Sequence, residues 1–323
     1  MLIDAFSRRF TYLRLSITES CNFRCSYCLP NGTDCESRSG ELNLVEIRRL
    51  VTAFARLGTK KVRITGGEPS LRKDLTEIIA TCKSVPGIEK VAITTNGYRL
   101  ARDAQAWFDA GLDAVNVSID SLDADTFHLV TGQDKLAEIL AGVAKARAVG
   151  IKQVKINTVL LRQHNALALP DFLDFIKSQD ISLRFIELMR TNDNTQYYKN
   201  QHLSGESIQQ KLLATGWQLK AKSSTDGPAL EYYHGDYQGR IGLIMPYSND
   251  FCADCNRLRV SSQAGLYLCL FTEQQQDLRQ LLQNDDVLPL MQFLQQAVLG
   301  KEATHYLHQD FSGGTRHLAQ IGG

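Results

Sequence analysis

The stretch YLRLSITESCNFRCSYC, residues 12–28, joins an apolar, β-rich run to three cysteines with the spacing CxxxCxxC. The run from Tyr12 to Ile17 predicts a strand, so the cysteines fall in the loop directly after it. Five more runs of this kind follow, and the pattern between them is helical. The six predicted strands are Tyr12 to Ile17, Lys61 to Thr65, Lys90 to Thr95, Ala114 to Ile119, Val154 to Leu160 and Leu183 to Glu187.

The segments between these strands carry helix start and stop signals. Asn43 can cap a helix over Leu44 to Leu57, and Glu46 completes a capping box. Gly58 then ends this helix. Three further helices are predicted over Leu100 to Gly111, Lys135 to Gly150 and Leu167 to Ser178.

Alternation of strands and helices requires parallel strands with right-handed crossovers, either in an open sheet or in a barrel. Six strands are too few for a closed eight-stranded barrel. Barrel enzymes use side chains at strand ends, and every predicted strand here carries a polar residue within it or at its end. These residues are Arg14, Arg63, Thr94, Ser118, Lys155 and Arg184. The sequence therefore predicts an α/β fold, an incomplete (β/α)6 TIM-type barrel.

The pattern changes after the sixth strand. Ser223 to Gly227 predicts a linker or turn, a β-like stretch continues through Pro246, and Gln274 to Leu299 has a helical pattern. We therefore expect two domains, a barrel over residues 1–222 and a C-terminal domain over residues 223–323.

Charge and composition exclude several classes of protein. The 323 residues include 36 basic and 35 acidic ones, a net charge of +1, so no global field exists for wrapping duplex nucleic acid. The longest apolar runs, such as Ile241 to Pro246, are too short to cross a bilayer. The first ten residues lack the apolar core of a signal peptide, so we expect a cytoplasmic protein. Eight cysteines in a reducing compartment favour metal binding over disulfides.

Cys21, Cys25 and Cys28 form the first of two cysteine sets. Three thiolates are one short of a closed tetrahedral zinc site. A four-iron cluster can be held by three thiolates while its fourth iron stays open to a small molecule. The spacing alone favours iron and sulfur but leaves zinc or plain core cysteines open.

The triad, the aromatic Tyr27 and the loop Gly66-Gly67-Glu68-Pro69 together resemble the radical S-adenosylmethionine (SAM) superfamily. The resemblance implies that the triad holds a [4Fe-4S] cluster whose open iron chelates SAM, which is cleaved reductively to a 5′-deoxyadenosyl radical. Two glycines without a Cβ would let the backbone approach the methionine moiety of SAM. The residues that the resemblance assigns to SAM are Tyr27, Gly67, Ser118 and Met189.

Cys252, Cys255 and Cys269 form the second set, with Arg257 and Arg259 between them. A zinc ribbon lacking its fourth cysteine is the plain alternative, and for the CxxC pair alone it would be preferred. A second set of three cysteines again indicates a cluster with an open iron. Two arginines that alternate along an extended segment point to the same side and can clamp a polyphosphate.

Motifs over nearly the whole chain narrow the resemblance. They are YLRLSIT, KKVRITGGEP, TTNG, NVSIDSLD, KINTVL, LRFIELM, FCADCNRLRVSS and the terminal Gly-Gly. This set closely resembles the GTP 3′,8-cyclase family, lyases of the first step of molybdenum cofactor (molybdopterin) biosynthesis. The resemblance implies that the radical takes hydrogen from the ribose 3′ carbon of GTP and that this carbon then adds to carbon 8 of guanine, giving 3′,8-cyclo-7,8-dihydro-GTP. It also implies a second [4Fe-4S] cluster, on Cys252, Cys255 and Cys269, that meets the guanine.

GTP carries about four negative charges near neutral pH, so a chain of net charge +1 needs a local cationic pocket. The resemblance and this requirement assign to GTP the residues Arg14, Lys61, Arg63, Thr94, Lys155, Arg184, Arg257 and Arg259. Whether Thr94 contacts GTP or SAM stays open. The resemblance further implies that Gly322 and Gly323 enter the barrel and organise the catalytic pocket, although a terminal Gly-Gly is ordinarily a frayed end.

Three other classes fit less of the sequence. A peptide-modifying radical enzyme usually carries more C-terminal cysteines and lacks the NRLR arginines. A zinc-binding nucleic-acid module leaves the GGEP loop and the β/α units unexplained. A nucleotide-binding β/α protein without radical chemistry has neither GxxxxGKS/T nor GxGxxG to support it.

The expected partners are GTP, a low-potential electron donor and, as a functional link, the cyclic pyranopterin monophosphate synthase that takes the product. A nucleic-acid or membrane partner is not expected, and the chain could be a monomer or a homodimer. Cys35 and Cys82 have no role that the resemblance assigns.

Overall fold

One continuous sheet organises the protein. A computed structural model describes residues 1–32, 40–221, 227–272, 275–309, 312–314 and 318–321. Its strands, in chain order, are β1 (Tyr12–Ser16), β2 (Lys61–Thr65), β3 (Lys90–Thr95), β4 (Ala114–Ser118), β5 (Gln153–Leu160), β6 (Ser182–Glu187), β7 (Gln218–Leu219), β8 (Leu230–Tyr233), β9 (Arg240–Ile244), β10 (Arg257–Val260), β11 (Gly265–Tyr267) and β12 (Gln276–Asp277). No helix in the described ranges is long and apolar enough to cross a membrane.

The order of strands across the sheet is β12-β11-β10-β1-β2-β3-β4-β5-β6-β9-β8-β7. Each neighbouring pair from β10 to β9 is parallel. Antiparallel strands extend the sheet beyond both ends of this parallel part. No pairing between β9 and β10 occurs among the described strands, so the barrel is not closed by hydrogen bonds.

Helices cover the outer face of the sheet. They are α1 (Leu44–Arg56), α2 (Leu75–Ser84), α3 (Leu100–Asp109), α4 (Ala124–Thr131), α5 (Leu136–Ala148), α6 (Leu169–Lys177), α7 (Thr195–Gln201), α8 (Glu206–Ala214) and α9 (Leu288–Leu299). Short 3₁₀ turns lie at Pro69–Leu71, Arg279–Leu282, Leu307–Gln309 and Leu318–Ile321. Most apolar residues of the parallel strands, such as Leu13 and Leu15 of β1, are buried in one core with residues of these helices.

The first two thirds of the chain follow the sequence prediction closely. All six predicted strands are present, and their ends differ from the prediction by at most one residue. The capping box at the start of α1 is confirmed, because Asn43 Oδ1 accepts from the Glu46 N–H and Glu46 Oε2 accepts from the Asn43 N–H, each at 3.0 Å. The likeness to solved structures reported below confirms the fold class, a partial barrel of the TIM type.

The C-terminal third departs from the prediction. The barrel sheet does not stop at six strands, because β9 and β10 continue it on either side. The helix predicted over Gln274 to Leu299 is wrong for its first half, where β12 and a 3₁₀ turn precede α9. The predicted division of the chain at residue 222 falls on residues 222–226, which lie outside the described ranges.

Candidate functional site

The sheet places the two cysteine sets at opposite ends of the barrel. The loop of Cys21, Cys25 and Cys28 follows the carboxyl end of β1. Cys252 and Cys255 precede the amino end of β10, which is parallel to β1. Cys269 follows β11, which is antiparallel to β10, and so returns to that same amino end. The interior of the barrel lies between the two sets.

The first cysteine set is drawn together by a tight turn. The N–H groups of Cys28 and Leu29 donate to the Cys25 carbonyl at 2.9 and 3.0 Å. All three are reduced cysteines, and each is half-buried. Burial raises the pKa of the Cys25 thiol well above its ordinary value, and the negative charges of Asp120, Cys28 and Cys21 raise it further. A cationic iron cluster would offset this concentration of negative charge.

The GGEP loop holds the backbone that leads into the first set. The Gly67 N–H donates to the Thr18 carbonyl at 2.9 Å, and the Glu68 N–H donates to the Ser20 carbonyl at 2.8 Å. A Cβ on Gly67 would lie 2.3 Å from the Ser20 oxygen. The glycine is therefore required by the close approach of two protein loops, a reason that the sequence prediction did not include.

Glu68 is a site residue that sequence reasoning missed. Its side chain is fully buried and accepts from the Ser70 N–H, the Thr95 hydroxyl and the Asn96 N–H at 2.9, 2.7 and 2.6 Å. Asn96 in turn donates to Asn22 inside the first cysteine loop at 2.9 Å. The glutamate thereby ties the loops after β2 and β3 to the cysteine loop.

The residues predicted to contact SAM all lie at the carboxyl end of the barrel. Tyr27 donates to Asp120 Oδ2 at 2.9 Å, and the other oxygen of Asp120 accepts from the Val159 N–H at 2.9 Å. Burial raises the pKa of Asp120 to about 6. Ser118 is the last residue of β4, and Met189 follows β6 by two residues. Asp120 was not predicted, although its place just after β4 matches that of the polar residues that were.

The second cysteine set has a similar turn and a cationic environment. The Cys255 N–H donates to the Cys252 carbonyl at 3.1 Å, and buried Arg8 donates to the same carbonyl at 3.1 Å. Burial alone would raise the pKa of the Cys255 thiol, but Arg257 and Lys301 outweigh it and lower the pKa to about 7. The thiolate form needed for metal ligation is thus favoured at this end of the barrel.

A cavity runs along the barrel interior from the second cysteine set toward Met189. Its lining includes all three cysteines of that set. Six of the eight residues predicted for GTP also line it, namely Arg14, Lys61, Arg63, Arg184, Arg257 and Arg259. The structure therefore brings most of the predicted cationic pocket together around one space.

The cationic residues lie deep in the barrel. Arg259, Arg14 and Arg63 are register neighbours on three adjacent strands and form one row across the middle of the sheet. Arg184 is also in mid-strand, while Lys61 opens β2 at its amino end. The sequence placed Arg14, Arg63 and Arg184 within a strand or at its end. The structure places all three within their strands, since the carboxyl ends carry the first cysteine loop and its supporting residues.

Tyr12, which was not predicted, sits among the cations of this cavity. Arg63 donates to its hydroxyl through Nε, and the Lys61 ammonium lies 4.3 Å from the ring centroid. Burial would raise the pKa of Tyr12, but Arg63, Lys61 and Arg14 lower it well below its ordinary value. Burial in turn lowers the pKa of Lys61 to about 8. The cations around Tyr12 therefore favour negatively charged groups in this part of the cavity.

Three buried polar atoms of the cavity wall lack a hydrogen-bond partner among the described residues. They are Asn116 Oδ1, Asn157 Oδ1 and Arg184 Nε. Buried polar groups in proteins are nearly always paired, so a polar ligand is the expected partner. The two amide oxygens need hydrogen-bond donors. A phosphate offers none at neutral pH, whereas a sugar hydroxyl or a base N–H can donate.

Thr94 and Lys155 are the two predicted GTP residues that do not line this cavity. Thr94 accepts from Arg63 at 3.1 Å and so helps to orient a side chain that does line it. The Lys155 ammonium lies 3.7 Å from Glu231, a residue of β8 that sequence reasoning missed. Thr94 therefore acts on the cavity through Arg63, whereas the neighbour of Lys155, Glu231, does not line the cavity.

Gly322, Gly323 and Cys35 lie outside the described residues. The turn just before the terminal glycines is described, and Ile321 is buried with Phe271 and Leu307 in a cluster against which Met189 packs. Cys82 is buried in the core of α2, where burial raises its pKa to about 12, in keeping with a packing role.

Among the described side chains, no group of three or more His, Cys, Asp or Glu is arranged to hold a single metal ion. Ligands of one zinc ion lie about 2.3 Å from it and thus close to one another. The thiolates of a four-iron cluster bind different irons and are necessarily farther apart.

Two family matches divide the chain between them. Residues 15–176 match the Radical SAM superfamily, and residues 181–307 match Molybdenum Cofactor Synthesis C. Among curated relatives, the GTP 3′,8-cyclase of Psychromonas ingrahamii is 55% identical over 323 residues, which cover 100% of this chain and 95% of the relative. The GTP 3′,8-cyclase of Cronobacter sakazakii is 54% identical over 325 residues, which cover 100% of this chain and 99% of the relative.

Two solved structures of Streptococcus suis SuiB are similar in fold. SuiB bound to S-adenosylmethionine has a TM-score of 0.65 at 14% identity, over 90% of this chain and 68% of SuiB. SuiB bound to the precursor peptide SuiA has a TM-score of 0.60 at 14% identity, over 97% of this chain and 76% of SuiB. At this identity the likeness concerns the fold alone.

Proposed function

The chain belongs to the GTP 3′,8-cyclase family of the radical SAM superfamily, and on that basis we propose that it cyclises GTP to 3′,8-cyclo-7,8-dihydro-GTP, the first step of molybdenum cofactor biosynthesis. The observation that carries the proposal is the row of buried cations facing a cavity that ends at the second cysteine set. A triphosphate supplies the anion for these cations, and a nucleoside supplies the donors for Asn116 and Asn157.

The donor set fits a resident [4Fe-4S] cluster and SAM at the carboxyl end of the barrel. We propose Cys21, Cys25 and Cys28 as the cluster ligands, and Tyr27, Gly67, Ser118 and Met189 as the residues around SAM. When bound, the cluster and SAM supply the radical that takes the ribose 3′ hydrogen. The chain itself orients this end through Glu68 and Asp120, whose hydrogen bonds fix the surrounding loops.

A second [4Fe-4S] cluster on Cys252, Cys255 and Cys269 is part of the proposal. Its support is the cavity wall that these thiols share with Arg257 and Arg259. The chain's own work in the interior is binding and water exclusion, since radical chemistry asks for little proton transfer. GTP would lie with its triphosphate on the arginines and its ribose toward the carboxyl end, where SAM is proposed to bind.

The proposed chemistry predicts where an isotope goes. Anaerobically purified protein, supplied with SAM, a low-potential reductant and GTP deuterated at the ribose 3′ carbon, should transfer deuterium into 5′-deoxyadenosine and release the cyclised product. Mass spectrometry of both products measures this. 5′-Deoxyadenosine without deuterium, or the absence of cyclised GTP, would contradict the proposed reaction.

A further inference from the structure

Glu231 lies at one side of the barrel interior, on the antiparallel strand β8. Arg184 of β6, Gly242 of β9 and Glu231 are successive register neighbours, so they form one row on the same face of the sheet. The Arg184 guanidinium reaches across β9 and donates through Nη2 to Glu231 Oε1 at 3.0 Å. The reach depends on Gly242, because a Cβ there would lie 2.9 Å from Arg184 Cγ.

The same carboxylate faces two lysines. Oε1 lies 3.7 Å from the ammonium of Lys155, and Oε2 lies 3.7 Å from that of Lys220. The side chains of Lys155 and Arg184 are mostly buried, with 17% and 9% of their surface exposed, whereas Lys220 is 41% exposed at the rim. Glu231 therefore offsets two buried cations, Arg184 in the wall of the cavity and Lys155 close to it.

Neighbouring charges affect the pKa values of Lys155 and Glu231. Burial lowers the pKa of Lys155 to about 7, Arg184 lowers it further, and Glu231 opposes both. More distant cations, Arg63 and Lys61, also lower it. Burial would raise the pKa of Glu231, but Lys155, Arg184 and Lys220 outweigh burial and lower it. Glu231 is thus ionised at neutral pH, where Lys155 is close to its midpoint.

We propose that Glu231 is a positioning residue for the triphosphate of GTP, which holds the Arg184 guanidinium of the cavity wall in place and favours the protonated form of neighbouring Lys155. The proposal rests on the proposed function, because it assumes that GTP occupies the cavity. A carboxylate accepts hydrogen bonds and cannot bind phosphate itself, so its effect must pass through the two cations.

The substitution Glu231→Gln tests the proposal because it keeps the shape and removes the charge. GTP affinity of the anaerobic holoenzyme is measured from pH 6 to pH 9 by calorimetry. Without the carboxylate the Lys155 ammonium loses its proton at lower pH, so the fall in affinity with rising pH should begin about one pH unit earlier. We expect near-equal affinity at pH 6 and a loss of about tenfold relative to wild type at pH 8.

Two further variants control this measurement. Glu138→Gln removes an exposed carboxylate that pairs with Lys135 at 2.7 Å on α5, and its pH profile should follow wild type. Lys155→Gln has no group that titrates at this position, so the fall in GTP affinity with rising pH should disappear. In the double variant Lys155→Gln, Glu231→Gln, the second substitution should cause no further shift in the pH profile. If Glu231→Gln fails to fold, Gly242→Ala tests the same contact, because its Cβ would lie 2.9 Å from Arg184 Cγ. It should then weaken GTP binding, and unchanged affinity would overturn the proposal.

The outcomes separate two kinds of failure. Wild type that neither binds nor cyclises GTP would contradict the proposed function itself. If wild type does both, an equal loss of affinity by Glu231→Gln at every pH would overturn the part of the proposal that concerns Lys155. A profile that coincides with wild type would overturn the role of Glu231 altogether. The role would also be overturned if Lys155→Gln kept the wild-type step.

Discussion

Arg259, Arg14 and Arg63 form the central row of the cavity at the scale of single residues. Burial lowers the pKa of Arg14 to about 10, and neighbouring Arg63 and Arg257 lower it further. Burial, followed by Arg14 and Arg257, likewise lowers the pKa of Arg259. Like charges this close repel one another, and a bound polyphosphate would relieve that repulsion.

Replacing Arg259 by alanine should weaken GTP binding. A buried hydrogen bond to a charged group contributes about 1.5 to 3 kcal/mol, which corresponds to a loss of roughly 10- to 150-fold in affinity. Calorimetry with GTP measures it, with iron content checked in the same sample because Arg259 lies near Cys269 and Cys255. Arg102→Ala, on an exposed part of α3, is the control. Unchanged affinity with intact clusters would remove Arg259 from the site.

Asn116 should recognise the nucleoside and not the phosphates. The Oδ1 atom of Asn116 has no partner in the described structure and needs a donor. A neutral hydrogen bond contributes about 0.5 to 1.5 kcal/mol, so Asn116→Ala should lower the affinity for GTP by about 2- to 13-fold. Inorganic triphosphate, measured as a competitor of GTP, should bind the variant and wild type equally. Equal weakening of both ligands would show that the asparagine acts through the arginines.

At the scale of elements, the GGEP loop is the support on which the first cysteine loop rests. Gly67→Ala should displace that support, because the new Cβ would meet the Ser20 carbonyl at 2.3 Å and that of Glu19 at 2.6 Å. We expect loss of SAM cleavage and of about half of the iron, measured after anaerobic reconstitution. Gly235→Ala is the matched control, since no atom lies within 4 Å of its Cβ. Full iron content in Gly67→Ala would contradict the supporting role.

The elements that the sequence predicts well are those with a local signal. Each of β1 to β6 is an apolar run between helices, and α1 carries its own capping box. The pairing of β10 with β1 has no such signal, because a register such as Tyr12 with Arg257 joins distant parts of the chain. The sequence therefore could not show that β9 and β10 extend the six predicted parallel strands to the eight of the described structure.

The same distinction applies to the site. Motifs identify the cysteines and the arginines, since these residues belong to short patterns. Glu231 and Asn157 lie in strands whose interior face is visible only once the register is known. Burial also decides their importance, because without it a glutamate on a strand would be read as a surface residue.

At the scale of the whole molecule, the two cysteine sets at opposite ends of the barrel should act separately. Anaerobically purified wild type should hold about eight iron atoms as two four-iron clusters. Cys25→Ala should lose SAM cleavage, while Cys255→Ala should keep some cleavage without cyclisation. Iron and sulfide analysis with product chromatography measures both. Stoichiometric zinc in protein supplied with iron and sulfide would contradict the assignment.

The C-terminal segment packs against the barrel close to the cavity. Asn192, which follows β6, donates to the Gly313 carbonyl at 3.0 Å and accepts from the Ser312 hydroxyl at 2.8 Å. Gly313 has φ +64°, and a Cβ there would collide with the Phe271 carbonyl. Ile321 is 1% exposed beside Phe271, a residue that lines the cavity.

Deleting Gly322 and Gly323 should therefore uncouple the reaction. Glycines lack a Cβ and can enter a space too narrow for other residues, in keeping with the role in the catalytic pocket that the family resemblance implies for this pair. We expect cluster content and GTP affinity close to wild type, but much less cyclised product per SAM cleaved. The double variant Gly322→Ala, Gly323→Ala keeps the chain length and should show the same loss if space is the reason. A truncated protein with the wild-type ratio of product to cleaved SAM would show that the tail takes no part in the reaction.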